Sequence, residues 1–383
     1  MKEDTLKIFF PGKLVFGNGT LSGLADEVLQ VNAAKVFIAT IEPLKETTAH
    51  FINTLTTNGV QLLMDTSVVQ EPSFADFEKL MQVVAPFNPD IVIGIGGGSV
   101  LDIAKLVAAQ LENDQQLRDY VGIGLLKGRR KKLICVPATS GTGSEVSPNA
   151  ILVDDADNQK KGIISPFLVP DIVYVDPLLT ISVPPAITAA TGLDALTHCL
   201  EAYINKFAQP FIDLYAYEGM RLIAAHIETA VKDGTNIEAR EKVAMGSLLG
   251  GFCLGPVNTA GVHALSYPLG SMFHLAHGLS NALLLPYVME FNIPSALKRY
   301  AEVAIALGCE RKDNDEATAF AGVKKIKELI KACNIPATLR EVSVPESAIP
   351  QMAKDAMKIQ RLLKNNPKEI REQDAINIYK AAY

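Results

Sequence analysis

The sequence lacks the features that would tie it to a membrane, a nucleic acid or an oxidising compartment. No uninterrupted apolar run approaches the roughly 20 residues that span a bilayer as a helix. Residues 1–4, Met-Lys-Glu-Asp, do not follow the cationic-then-apolar order of a secretory signal. Basic charge is not in excess: 36 Lys and Arg face 42 Asp and Glu, for a net charge of −6 and a pI near 5.6. That balance argues against a surface for phosphate backbones or anionic lipid. The five cysteines (135, 199, 253, 309 and 333) are scattered, odd in number and mostly in apolar company. They exclude a disulfide framework and read as reduced thiols of a cytoplasmic protein. Internal repeats and low-complexity segments are missing too. Histidine is scarce, with six in the chain, and this makes its clustering informative.

What is present is length and apolar content enough for two cores. At 383 residues and 48% hydrophobic content, the chain exceeds the size at which one core stops growing. Residues 7–16 read as two short strands broken at Pro11-Gly12. Residues 35–40, 61–64, 90–95, 133–136 and 171–176 are further strand candidates, separated by helical stretches such as the one capped at Ser73. Strands alternating with helices imply a parallel sheet with right-handed crossovers. From about Ser182 the pattern turns to long helical periodicity, in 187–204, 211–231, 237–249, 295–307, 317–332 and the tail from 373. We therefore expect an α/β domain over residues 1–180 and an all-α domain over 181–383, the boundary falling within 177–185.

Residues 90–105 run strand, glycine turn, helix: Asp-Ile-Val-Ile-Gly-Ile-Gly-Gly-Gly-Ser-Val-Leu-Asp-Ile-Ala-Lys. Glycines let backbone amides approach phosphate oxygens, and a helix N-terminus adds partial positive charge. Ser99 can cap the helix or donate to a phosphate, and Asp102 suits the first turn or can accept a hydroxyl. The alternative is a tight turn that needs only small residues. A second polar loop, residues 137–146, follows the 133–136 strand at the end where open α/β sheets bind ligands. Its plainer reading is a solvated loop.

Four of the six histidines (198, 263, 274 and 277) lie within one 80-residue window. Asp194 and His198 stand at i and i+4, on one face of a helix whose other positions are apolar. A carboxylate buried there is costly unless paired or coordinated. With His263 and His277 the pair reads as ligands for one divalent metal; hydrogen-bonded core residues are the alternative. Three imidazoles and a carboxylate suit Fe(II), Zn(II), Mn(II) or Co(II) and disfavour Mg or Ca. Cys199 adjoins His198 but points about 100° away on the helix.

Taken together, Phe16-Gly17, residues 96–105, 139–146, Asp176-Pro177, 191–203, 263–285 and Asn366-Pro367 resemble the iron-containing (group III) alcohol dehydrogenase family nearly end to end. The resemblance implies a dinucleotide-binding domain followed by a helical metal-binding domain, in a dehydroquinate synthase-like architecture. It implies a metal on Asp194, His198, His263 and His277, usually Fe(II) and sometimes Zn(II). It also implies NAD or NADP, with the pyrophosphate on Gly97, Gly98 and Ser99. Asp102, Thr139, Ser140, Thr142, Asn149 and Lys160 match positions that line the cofactor site. The first strand of such enzymes often joins a homodimer, so residues 7–16 are a candidate subunit contact.

Three positions depart from the family pattern. Tyr267 stands where a second histidine often supports proton transfer, and His274 is an alternative carrier. Ile41, followed by Glu42, replaces the Asp of NAD-preferring members. Val100 replaces a proline after the glycine loop. The expected reaction is hydride transfer between nicotinamide C4 and a small alcohol or aldehyde at the metal. Leu254 and Phe273 point to a largely apolar pocket. A sugar-phosphate lyase on the same architecture would need a cationic cluster, yet residues 190–280 offer only Lys206, Arg221, Lys232, Arg240 and Lys242, none beside a candidate ligand. A scaffold that has lost catalysis would not be expected to keep four ligands.

Overall fold

The computed structural model describes residues 6–69, 71–156 and 159–383. The amino-terminal stretch read above for a secretory signal lies outside the described residues. By internal contacts the chain forms two compact units. One comprises Phe9–Thr139 and Ser144–Ile181; the other comprises Ser182–Tyr383, Ser140–Gly143 and the described residues before Phe9.

The first unit is built on a six-stranded sheet. In chain order its elements are β1 (Lys13–Phe16), α1 (Leu24–Gln30), β2 (Lys35–Ala39), α2 (Lys45–Thr57), β3 (Gln61–Asp65), α3 (Phe74–Phe87), β4 (Ile91–Gly96) and α4 (Gly98–Gln110). There follow β5 (Gly122–Ile123), β6 (Lys132–Pro137), β7 (Asn149–Asp154), β8 (Gln159–Ile164) and β9 (Ile172–Val175). The main sheet has the order β1-β9-β6-β4-β2-β3, with every pair parallel. Its strands are apolar at successive positions because both faces are covered. Phe37, Val92, Leu133 and Cys135 pack on α3 and α4, while Val36, Ile38, Ile93 and Ile134 pack on α1 and α2. Ser73 caps α3 reciprocally with Asp76, as its spacing predicts.

Three local expectations change. Residues 7–12 form no strand; pairing begins at Lys13, and Phe9 and Phe10 stay about half exposed. The glycine-loop helix begins at Gly98 with Gly97 as its cap, so Ser99 sits inside the first turn instead of capping it. β7 and β8 form an antiparallel pair, extended by β5, where the sequence reading placed no strand. Burial alternates along β7, with Ala150 and Leu152 inside, although residues 150–153 are apolar throughout.

The second unit is helical: α5 (Pro185–Ile204), α6 (Pro210–Lys232), α7 (Ile237–Leu254), α8 (Gly261–Phe273), α9 (His277–Asn292), α10 (Leu297–Ala306), α11 (Asp315–Ala332), α12 (Ile349–Ala356), α13 (Gln360–Leu363) and α14 (Glu372–Ala381). One apolar cluster runs through it, centred on buried α5 residues such as Leu193, Leu196 and Leu200. Residues Ser140–Gly143 pack into this unit. Gly143 has φ +62°, and a Cβ there would stand 2.3 Å from the Cα of Gly251 in α7, so only glycine fits. No helix among the described residues is long and apolar enough to cross a membrane.

Glu145 is only 3% exposed, and burial raises its carboxyl from an ordinary value of 4.5 to about 7. The folded chain therefore holds this proton more tightly than the unfolded chain does. Stability falls as pH rises from about 4.5 to about 7 and levels off above that range. Glu145→Gln removes this loss. Melting curves from pH 4 to 8 should show the variant gaining on the wild type across the window, by up to about 3 kcal/mol, with no gap at the acid end.

Candidate metal centre and cofactor loop

The centre is assembled by three helices of the second unit. α5 supplies Asp194 and His198 one turn apart, α8 supplies His263, and α9 begins at His277. Asp194 Oδ1 lies 3.8 Å from His198 Nε2, 3.7 Å from His263 Nε2 and 3.8 Å from His277 Nε2. All four donor atoms fall within 4.8 Å of one another. The rings of His198 and His263 stack at 4.9 Å, and those of His263 and His277 meet edge-on at 5.1 Å.

This donor set fits a cation. Four ligands at about 2.1 Å in a tetrahedron stand about 3.4 Å apart, and the Asp194–histidine separations of 3.7–3.8 Å lie a few tenths of an ångström above that spacing. Asp194 is 2% exposed, and a carboxylate at that depth needs a positive partner. Burial works against its ionised form, but the three imidazoles and the Asn281 amide outweigh burial and hold it below the usual range. Burial pushes the His198 imidazole down, and the neutral ring is the form that can ligate. His198 Nδ1 makes no hydrogen bond in the cluster.

Two supporting residues escaped the sequence reading. Glu201, 1% exposed, accepts a 2.6 Å hydrogen bond from His263 Nδ1 and further bonds from the amides of Ala260 and Val262, at 3.0 and 2.6 Å. A proton held on Nδ1 leaves Nε2 as the lone-pair donor facing the cluster. Its signal was spacing, since Glu201 follows Asp194 by seven residues on the same face of α5. Asn281, four residues after His277 and fully buried, places its amide nitrogen 2.7 Å from Asp194 Oδ1, 3.1 Å from His263 Nε2 and 3.3 Å from His277 Nε2.

The two other histidine-region candidates separate. Tyr267 is half-buried on α8, its ring 6.1 Å from that of His277, and its hydroxyl accepts a 3.4 Å bond from Arg361. His274 is exposed at φ +55°, where it closes α8 in a left-handed cap. Phe273 is half-buried, whereas Leu254 sits in the apolar core at the end of α7. Three of the cations that a sugar-phosphate site would recruit are engaged elsewhere. Arg221 pairs with Glu218, Lys232 with Glu228, and Arg240 is buried against Thr188 and two carbonyls.

In the first unit the strands β4 and β6 pair through Gly96↔Pro137, so the loops that follow them lie side by side. Gly97, which caps α4, carries no side chain to occupy the first amides, and Gly97, Gly98 and Ser99 are all half-exposed. A Cβ on Gly97 would sit 3.6 Å from the Thr139 hydroxyl. This open helix start fits a pyrophosphate. Asp102 accepts from Ser144 Oγ at 2.5 Å and from the Ile151 amide at 2.9 Å, which ties the second loop to α4. The fully buried Lys105 does likewise through the carbonyls of Ser147 and Asn149. Asn149 keeps a buried side-chain oxygen with no partner, and Lys160 is ion-paired with Glu71. Ser140 and Thr142 belong to the short segment that packs with the helical unit.

Gly278, next to His277, allows α9 to approach α5. A Cβ there would meet the Ala190 carbonyl oxygen at 2.1 Å and Asp194 Cβ at 3.1 Å. Gly278→Ala should push His277 away from Asp194 and lower metal affinity tenfold or more, on the order seen for lost supporting contacts. Glu201→Gln should weaken metal retention by roughly 10–100-fold. Competition against a chromophoric chelator measures both, with circular dichroism showing the helices retained.

Comparison with known proteins agrees with this geometry. Residues 11–177 match the family model described as iron-containing alcohol dehydrogenase, and residues 188–383 match the C-terminal model of the Fe-containing alcohol dehydrogenase family. Long-chain-alcohol dehydrogenase 1 of Geobacillus thermodenitrificans is 39% identical, over 98% of this chain and 96% of that protein. The 1,3-propanediol dehydrogenase of Klebsiella pneumoniae is 31% identical, over 97% of each. A crystal structure of 1,3-propanediol oxidoreductase superposes with a TM-score of 0.95 at 31% identity, covering 99% of this chain and 100% of that one. An alcohol dehydrogenase from Oenococcus oeni gives a TM-score of 0.94 at 28% identity, with the same coverage. A parallel-sheet unit with a glycine loop, a helical unit with an Asp-His cluster and these end-to-end matches have one common meaning: the chain belongs to the iron-containing alcohol dehydrogenase family.

Proposed function

We propose that Asp194, His198, His263 and His277 hold one divalent cation, Fe(II) or Zn(II), and that Gly97, Gly98, Ser99, Asp102, Thr139, Ser140, Thr142, Asn149 and Lys160 carry NAD(P). The reading rests on one observation: four donor atoms from three helices converge within 4.8 Å. When bound, the cation supplies Lewis acidity at an alcohol or carbonyl oxygen, and the nicotinamide gives or takes a hydride at C4.

The chain's own residues set up that chemistry. Glu201 keeps the His263 proton on Nδ1, so the opposite nitrogen can face the cluster. Asn281 orients the Asp194 carboxylate through its 2.7 Å bond. Tyr267 and His274 are the candidate proton carriers between substrate oxygen and solvent, and the place of Tyr267 beside His277 favours it. The substrate is a small alcohol or aldehyde. The free cysteines fit a cytoplasmic setting. β1, at the edge of the sheet, offers an unpaired strand side for a homodimer.

His263→Ala and His277→Ala should each abolish both metal retention and aldehyde reduction with NADH or NADPH, with folding intact by circular dichroism. Full activity at normal metal content in either variant would overturn the ligand assignment.

A further inference from the structure

Access to the cluster is one-sided. The side chains of Asp194, His198 and His263 are 4–6% exposed, whereas that of His277 is 27% exposed. An entering molecule therefore passes His277. Beside His277 stands the half-buried ring of Tyr267, and the Tyr267 hydroxyl meets the guanidinium of Arg361, itself half-buried at the start of α13. His277, Tyr267 and Arg361 thus form a continuous, partly open wall leading away from the cluster. It ends in a cation that pairs with no carboxylate among the described residues. Arg221, Arg299 and Arg311, in the same unit, each have an acidic partner, while Arg240 is held by Thr188 and two carbonyls and Arg340 lies over the Tyr383 ring. A guanidinium partly withdrawn from water without a counter-ion, its planar fork reaching a polar wall, is built for an oxyanion.

The geometry points to an anion subsite. Arg361, with the Tyr267 hydroxyl, holds the terminal oxyanion, carboxylate or sulfonate, of a short aldehyde or alcohol whose oxygen function reaches the cluster past His277. The inference rests on the dehydrogenase reading and narrows its substrate class from neutral alcohols to ω-oxo or ω-hydroxy acids. The reaction is unchanged: hydride goes to the carbonyl carbon from the reduced nicotinamide and a proton goes to the oxygen, so the acid group is held and not altered.

The test compares butanal, 4-oxobutanoate and 3-sulfopropanal as substrates with NADH and NADPH. The wild type should favour at least one anionic aldehyde over butanal by tenfold or more in kcat/KM, mainly through KM. The preference should weaken with added salt. Arg361→Met should reduce the anionic-to-neutral ratio at least tenfold, and Arg361→Lys should keep part of it. The two anionic probes separate a carboxylate subsite from a sulfonate one. A wild-type ratio near one for both, or an unchanged ratio in Arg361→Met, overturns the subsite. Calorimetry with 4-hydroxybutanoate and 3-hydroxypropanesulfonate against 1-butanol gives a readout without turnover. Loss of anion binding in Arg361→Met supports the subsite even if no aldehyde is reduced, a result that would sink the dehydrogenase reading alone. No anion binding by the wild type sinks the subsite alone.

Discussion

A carboxylate with 2% of its surface exposed, surrounded by three imidazoles, is the constraint around which the helical unit is organised. An isolated buried carboxylate costs several kcal/mol, and neither the Asn281 amide nor a neutral ring balances a full negative charge. A divalent cation on this donor set, as proposed above, would supply that balance. Holding it together requires helices to approach more closely than ordinary side chains permit. Gly278 supplies that approach for α9 against α5. The apolar cluster around Leu193, Leu196 and Leu200 holds the helices while the polar residues face one another.

The sheet unit solves a different problem. Its strands are covered on both faces, so function can reside only where the strands end. The paired ends of β4 and β6 put two loops next to each other, one presenting backbone amides and the other hydroxyls. Asp102 and Lys105 brace the second loop through bonds to Ser144, Ile151, Ser147 and Asn149. Lys105 is fully buried and Asp102 half-buried, and the bonds both make render the loop rigid enough to present a fixed surface. The glycines of the first loop stay bare and open. Phosphate recognition by backbone needs that bareness, because a side chain at Gly97 would stand where the ligand approaches.

The chemistry divides accordingly. The metal and the nicotinamide carry the reactive steps, while the protein contributes orientation, proton placement and a directed entrance. Glu201 fixes a tautomer and Asn281 fixes a carboxylate; neither touches the reacting atoms. At the partly exposed flank of His277 stands Tyr267, and Arg361 donates to the Tyr267 hydroxyl. Those two side chains give that flank charge and hydrogen-bonding capacity.

The sequence by itself determined the alternation of strands and helices, the switch to helix near residue 182, the capping of α3 at Ser73 and the placing of Asp194 and His198 one turn apart on one helix face. Each of these is a local pattern: a periodicity, a cap, or two residues one turn apart. It did not determine the β7–β8 pair, because an antiparallel ribbon with one polar face resembles loop until its partner is known. Nor did it reveal the break between α8 and α9, which depends on His274 adopting a left-handed backbone conformation. Glu201 was within reach of helical spacing, but its work is done on His263, 62 residues away. Arg361 lies 94 residues from Tyr267 in sequence and meets it only through the packing of α13 near α8. Tertiary structure alone decided which charges lost their partners. A counter-ion is a neighbour in space, and chain order says nothing about it.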